Sequence, residues 1–189
     1  MAVIRFGLLL VALLPSLAFA DGEVGPRAAT ASKELMKAIN NNLLGVVNNG
    51  GFVSAIPFCD HDKARFPARV SRRAQLVKIA RVTLKPRNPG NAPDAFEAQQ
   101  LAQMKEDLAK GGRLKPRYLG KEVINGKNHY RFMEGIRASA FCLNCHGTEA
   151  ELDQQAIEKI RKLYPGDKAT GYREGDLMGA VTVVIPMNE

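Results

Sequence analysis

The feature that most constrains this chain is seven residues long. Phe141-Cys142-Leu143-Asn144-Cys145-His146-Gly147 sets two thiols three residues apart and an imidazole directly after the second. Thiols at that spacing can add to the two vinyl groups of a haem, and the next residue brings an imidazole under the iron. Attachment and ligation then come from one short segment. With three Cys and three His in 189 residues, chance produces such a run about once in a thousand sequences of this composition. The motif therefore predicts one covalent haem c, with Cys142 and Cys145 as attachment residues and His146 as an axial ligand.

Two other chemistries use the same side chains. A Cys142–Cys145 disulfide of the thioredoxin kind lacks the flanking strand-helix-strand pattern and leaves His146 unexplained. Structural zinc is the stronger competitor, because Cys59, Cys142, Cys145 and His146 make a Cys₃His set. Zinc ligands usually come as two closely spaced pairs, and Cys59 stands far from the other three.

The N-terminus supports the haem reading. Arg5 is followed by an apolar run from Phe6 to Leu14, then Pro15, and then Ala18-Phe19-Ala20 before Asp21. A positive start, a short apolar centre and small residues before the cut define a secretory signal, so residues 1–20 read as a signal peptide cleaved after Ala20. The apolar run is too short for a membrane span, which needs about twenty residues. A periplasmic location follows, without a transmembrane segment after cleavage; it is also where haem c is attached. The remaining length suits one domain.

Charge narrows the partners. The chain carries a formal charge of +8, and its leader takes only Arg5 with it. Such a balance suits an acidic protein or an anionic membrane surface, although a solvated basic face is the simplest account. Nucleic acid is not expected as a partner, since no basic tract with interleaved aromatics appears.

Residues 21–31, with Gly22, Gly25 and Pro26, read as a flexible tether, and residues 32–189 as a single domain. Leu35, Ile39, Leu43 and Val46 or Val47 recur at helical spacing until Asn48-Asn49-Gly50-Gly51 stops them. A second helix is expected from Phe52, with Phe52, Ile56 and Cys59 on its inner side, although Pro57 works against it. Ala80, Val82 and Leu84 alternate with charged or polar residues, as in a half-buried strand. Arg87 to Pro93 is a loop; Asp94 with Glu97 forms a capping-box pattern for a helix through Leu101, Met104 and Leu108. Asn125-Gly126 separates two strand-like runs as a two-residue hairpin turn does. Leu152, Ala156, Ile157, Ile160 and Leu163 mark another helix, and Leu177 to Ile185 a final strand. Helices and antiparallel strands in this order predict an α+β fold.

The second axial ligand is open on these grounds alone. Cys59 is an unpaired thiol in an exported chain, or a buried inert one; His61, His129, Met133 and Met178 are the other donors. Arg87 and Asn88 either approach a haem propionate or simply hold a turn.

The segments Arg81-Val82-Thr83-Leu84-Lys85-Pro86-Arg87-Asn88-Pro89-Gly90-Asn91-Ala92-Pro93, Cys142-Leu143-Asn144-Cys145-His146-Gly147, Tyr164-Pro165-Gly166-Asp167-Lys168-Ala169-Thr170-Gly171-Tyr172 and Gly175-Asp176 also carry a resemblance. Over about residues 32–186 the chain resembles the single-haem c-type family of exported haem-binding domains once classed as a domain of unknown function. That resemblance implies a PAS-like small antiparallel sheet with N-terminal and flanking helices, and a Cys/His axial pair. By position the pair is Cys59 and His146. The sequence departs from the family at Pro57-Phe58 before Cys59 and Asp60-His61-Asp62 after it, where a more regular helix is the family pattern.

Four functions follow from these readings. A redox or small-ligand sensor is favoured by the PAS-like resemblance, and its output is expected in a separate protein because the chain ends soon after Pro186. An electron-transfer cytochrome is the main alternative. An enzyme is not expected, since a peroxidase needs an open iron position and His61 is the one obvious distal histidine. A zinc-stabilised binding module stands or falls with haem content.

Overall fold

The computed structural model describes residues 21–58, 65–114 and 118–187. The expected signal segment, residues 1–20, and the candidate ligands Cys59 and His61 lie outside this set. In chain order the elements are helices α1 (Asp21–Ala55) and α2 (Arg65–Ala74), strand β1 (Lys78–Val82), a 3-10 turn (Pro89–Asn91) and helix α3 (Ala95–Ala109). Strands β2 (Tyr118–Ile124) and β3 (Lys127–Arg137), helices α4 (Ala140–His146) and α5 (Gln154–Leu163), and strand β4 (Leu177–Pro186) follow. The strands make one antiparallel sheet in the order β1-β4-β3-β2. The fold is therefore the expected α+β class, with a small PAS-like sheet.

Strand alternation sets one core on each face of the sheet. Ile79, Phe132, Val181, Val183 and Ile185 meet Leu35, Ile39, Phe66 and Val70 of α1 and α2. On the opposite face Val82, Met133 and Ala180 meet Leu101 and Met104 of α3. Helices on both faces explain why β1 departs from the sequence reading. Ile79 is buried on one side and Val82 on the other, while Leu84, expected inside, is exposed. Alternation marks a strand with one wet face, and this one carries a buried residue on each face.

Residues 21–31 correct a second expectation. They are not a tether but the opening turns of α1, with Val24, Ala28, Ala29 and Ala31 buried. Gly22, Gly25 and Pro26 have poor helix propensity. Tertiary packing overrides it: these buried residues continue through Leu35 and Ile39 at three- to four-residue intervals as one apolar stripe. Arg27 Nη2 fastens the same turn by donating to the Ala74 carbonyl at 2.8 Å, at the end of α2. The break expected at residues 48–51 is present as a kink, at Gly51 with φ 71° and ψ 177°. Only glycine adopts that backbone readily.

The local devices read from sequence are in place. Glu97 N donates to Asp94 Oδ1 at 2.8 Å and Asp94 N to Glu97 Oε2 at 2.9 Å, a complete capping box. Asn125 and Gly126 have φ of 52° and 74°, as a primed hairpin turn requires. Under α3 the buried Arg131 guanidinium is shared by Asp94 at 2.6 Å, Glu97 at 3.2 Å and Glu122. Lys78 closes on the same Glu97 at 2.9 Å.

Candidate haem site

Helix α4 carries all three side chains of the motif. Cys142 and Cys145 are one turn apart and so share a face, and both are half-buried. The Ser139 hydroxyl lies 3.3 Å from Cys142 Sγ. His146 is the last helical residue, and the Gly147 amide closes the helix by donating to the Leu143 carbonyl at 2.8 Å.

The segment after α5 returns along this helix end and fixes the imidazole. Tyr172 N donates to the His146 carbonyl at 3.0 Å and Gly171 N to that of Gly147 at 2.7 Å. Two residues earlier the Ala169 carbonyl sits 2.7 Å from His146 Nδ1. A carbonyl can only accept, so Nδ1 carries the proton and Nε2 keeps its lone pair. Burial, and then the positive charge of Arg87, push the His146 pKa down to about 4. The ring is therefore neutral at pH 7, the form that binds a metal. An imidazole oriented by a backbone carbonyl through its other nitrogen is the usual arrangement of a metal-ligating histidine. Tyr172 stands edge-on to it, with centroids 6.4 Å apart and planes at 77°. Lys85 Nζ lies 4.3 Å from the centroid of that tyrosine and also donates to the Thr170 carbonyl.

Arg87 and Asn88 play different parts. Asn88 holds the turn, its Oδ1 accepting from Gly90 N at 2.8 Å. Arg87 turns inward and is buried. Its Nη2 donates to the Cys145 carbonyl at 2.8 Å and to Asp167 Oδ2 at 3.1 Å, while Nε and Nη1 meet no acceptor. Asp167 Oδ1 in turn accepts from Ala169 N at 2.9 Å. A chain of contacts thus runs from the guanidinium through Asp167 to Ala169, the residue whose carbonyl orients His146. A cleft with about 110 Å³ of free space opens here, bordered by Arg81, Lys85, Arg87, Met178 and His146.

Of the other described candidates, Met178 borders this cleft, and Met133 and His129 do not. Met133 is buried beneath α3, and His129 is buried with Nδ1 2.9 Å from the Lys127 carbonyl. Cys59 and His61 lie outside the described residues, so the Cys₃His zinc set does too. The chain leading to Cys59 is anchored beside the motif: Phe52 packs on Phe141 with centroids 5.4 Å apart, and the Tyr164 hydroxyl donates to the Ile56 carbonyl at 3.1 Å. Sequence reasoning recognised the run from Tyr164 to Tyr172 without finding its task. The signal was the turn-forming Pro165-Gly166-Asp167 after a helix, which sends the chain back past His146.

The residues present fit a haem of the c type. Two thiols share one helical face, a neutral imidazole is already oriented, and a buried cation beside it has unused donors. Among the described residues no helix is long and apolar enough to cross a membrane.

No curated protein matches the sequence. A crystal structure of the cyanobacterial heme-protein Tll0287 is similar in fold, with a TM-score of 0.61 and 24% sequence identity, covering 90% of this chain and 99% of that one. The Tll0287-like family model matches residues 28–186. By that match, which takes in the sheet, the motif helix and the returning segment together, the chain belongs to the Tll0287-like family.

Proposed function

We propose that this is a periplasmic mono-haem c protein that senses redox state or a small ligand, and that it is not an enzyme. In this reading Cys142 and Cys145 are the thioether donors, and His146 and Cys59 are the axial pair. The observation that carries it is His146: neutral, oriented through Nδ1 by Ala169, and placed one residue from the second thiol. The heme named for the structurally similar protein supports the same cofactor. When bound, haem supplies a one-electron redox centre.

The protein's own residues set how that centre behaves. His146 stays fixed by the Ala169 carbonyl in both oxidation states. Cys59, as a thiolate, brings a negative charge that favours the ferric state and lowers the potential. On reduction a thiolate would be held less strongly, so Cys59 would take up a proton from solvent and be released. An acidic or membrane-bound protein is the partner suited to the basic surface.

The test is electron paramagnetic resonance and potentiometry on protein made with haem-attachment machinery. Wild-type ferric protein is expected to give a thiolate-type low-spin signal. Cys59→Ser is expected to lose it and to raise the potential enough to lower the ferric-to-ferrous ratio about tenfold at fixed potential, ~59 mV for one electron. An unchanged signal and potential would remove Cys59 from the iron. If Cys59 instead stays bound through reduction and carbon monoxide does not enter, an electron-transfer cytochrome becomes the better reading.

A further inference from the structure

We propose that Arg87 is the anchor for a carboxylate of the cofactor, its unpartnered guanidinium N–H groups binding one haem propionate. The assignment rests on the haem reading of the site and adds to it a residue outside the attachment motif.

The starting point is an incomplete set of hydrogen bonds. A guanidinium has five N–H donors and no acceptor. In Arg87 the two on Nη2 are satisfied, by the Cys145 carbonyl at 2.8 Å and by Asp167 at 3.1 Å. Those on Nε and Nη1 are buried and meet no acceptor. Buried donors left in this state are rare, and on a charged group they are costly, so they indicate a missing acceptor. The Asn88 side chain next to it is turned to its own loop, accepting from Gly90 N.

The surroundings select an anion over a neutral acceptor. Arg81 and Lys85 border the same cleft as Arg87. Asp167, already engaged by Arg87 and by Ala169 N, is the carboxylate on the Arg87 guanidinium. The cleft, with about 110 Å³ of free space, has room for a carboxylate group beside Arg87. A haem whose iron lies at His146 has carboxylates on its periphery, and a guanidinium is the side chain best matched to a carboxylate.

The placement gives Arg87 a second effect. Its Nη2 holds the carbonyl of Cys145, and through Asp167 it holds the Ala169 unit that orients His146. One cation would then link a propionate, an attachment residue and the histidine's orienting carbonyl. Removing it takes a positive charge from beside the haem and lowers the potential; removing the Asp167 charge does the reverse.

The test uses full-length protein carrying covalent haem, in wild type, Arg87→Gln, Arg87→Lys and Asp167→Asn forms. Haem content after denaturation is read first. Wild type without covalent haem would overturn the c-type reading itself, before Arg87 is at issue. In the haem-bearing proteins the propionate bending band is followed by resonance Raman spectroscopy and the ferric-to-ferrous ratio at a fixed potential. Arg87→Gln is expected to shift the band and raise that ratio about tenfold, ~59 mV for one electron. Asp167→Asn is expected to lower the ratio and leave a bonded propionate. A band already at the solvent-exposed position in wild type would overturn the assignment, as would variants at 87 and 167 that move the ratio in the same direction, the pattern of a simple brace. Should Arg87→Gln fail to fold, Arg87→Lys decides alone, because a single ammonium cannot reproduce the guanidinium contacts: a shifted band supports the anchor and an unshifted one removes it.

Discussion

Alanine at both Cys142 and Cys145 is expected to abolish covalent haem altogether. Both thiols stand on one face of α4, half-buried, so each is within reach of the same group. Each single substitution leaves one thioether donor, and the double substitution leaves none. The backbone of α4 does not depend on the sulfur atoms: it is closed by the Gly147 amide on the Leu143 carbonyl, and Arg87 and Tyr172 grip its carbonyls at residues 145 and 146. Haem staining after denaturing electrophoresis, together with acid-acetone extraction, gives the answer. Colour that resists extraction in the double variant would disprove the attachment assignment.

The second large effect is expected at His146. Alanine there removes a strong-field nitrogen while both thioethers persist, so haem should remain attached and the ferric iron should pass from low spin to high spin. Added imidazole should restore the low-spin spectrum, since the deletion leaves room at the iron and the Ala169 carbonyl is still placed to orient a ring. An unchanged visible and paramagnetic resonance spectrum would take His146 off the iron. Because the folded histidine has its pKa near 4, its neutral form dominates throughout the neutral range. The effect of the substitution should therefore be the same at pH 6 and pH 8.

The legible parts of this protein are those in which a few adjacent residues decide the outcome. The Asp94–Glu97 capping box and the Asn125-Gly126 turn each act over one turn of chain, and each reads directly from the sequence. Burial by distant elements is harder to see. Residues 21–31 look like a tether because glycine, alanine and proline dominate, yet the sheet and α2 hold their alanines in the interior. β1 misleads because α1 and α2 cover, at Ile79, the face that an alternating pattern assigns to water. At Arg87 the sequence leaves two readings open, and only the fold shows Arg87 turned inward to the Cys145 carbonyl while Asn88 holds the turn. The task of Asp167 and Ala169 depends on a chain reversal that brings them back to residue 146, a contact between segments more than twenty residues apart.

The strand order has a consequence for how the molecule is assembled. β4 is the last strand of the sheet in sequence and sits between β1 and β3, pairing along its length with β3 and over residues 180–184 with β1. A chain delivered from its N-terminus can form α1 and the β2–β3 hairpin early, but β1 has no neighbour until β4 arrives. The sheet is therefore completed late, through contacts that join distant parts of the chain and are slow to close. Cys142, Cys145 and His146 precede β4, and the segment that grips His146 lies just before it. During that interval the two thiols belong to an open chain. An attachment enzyme would meet them before the cleft is walled in, and the closing of the central strand would then lock the modified segment into place.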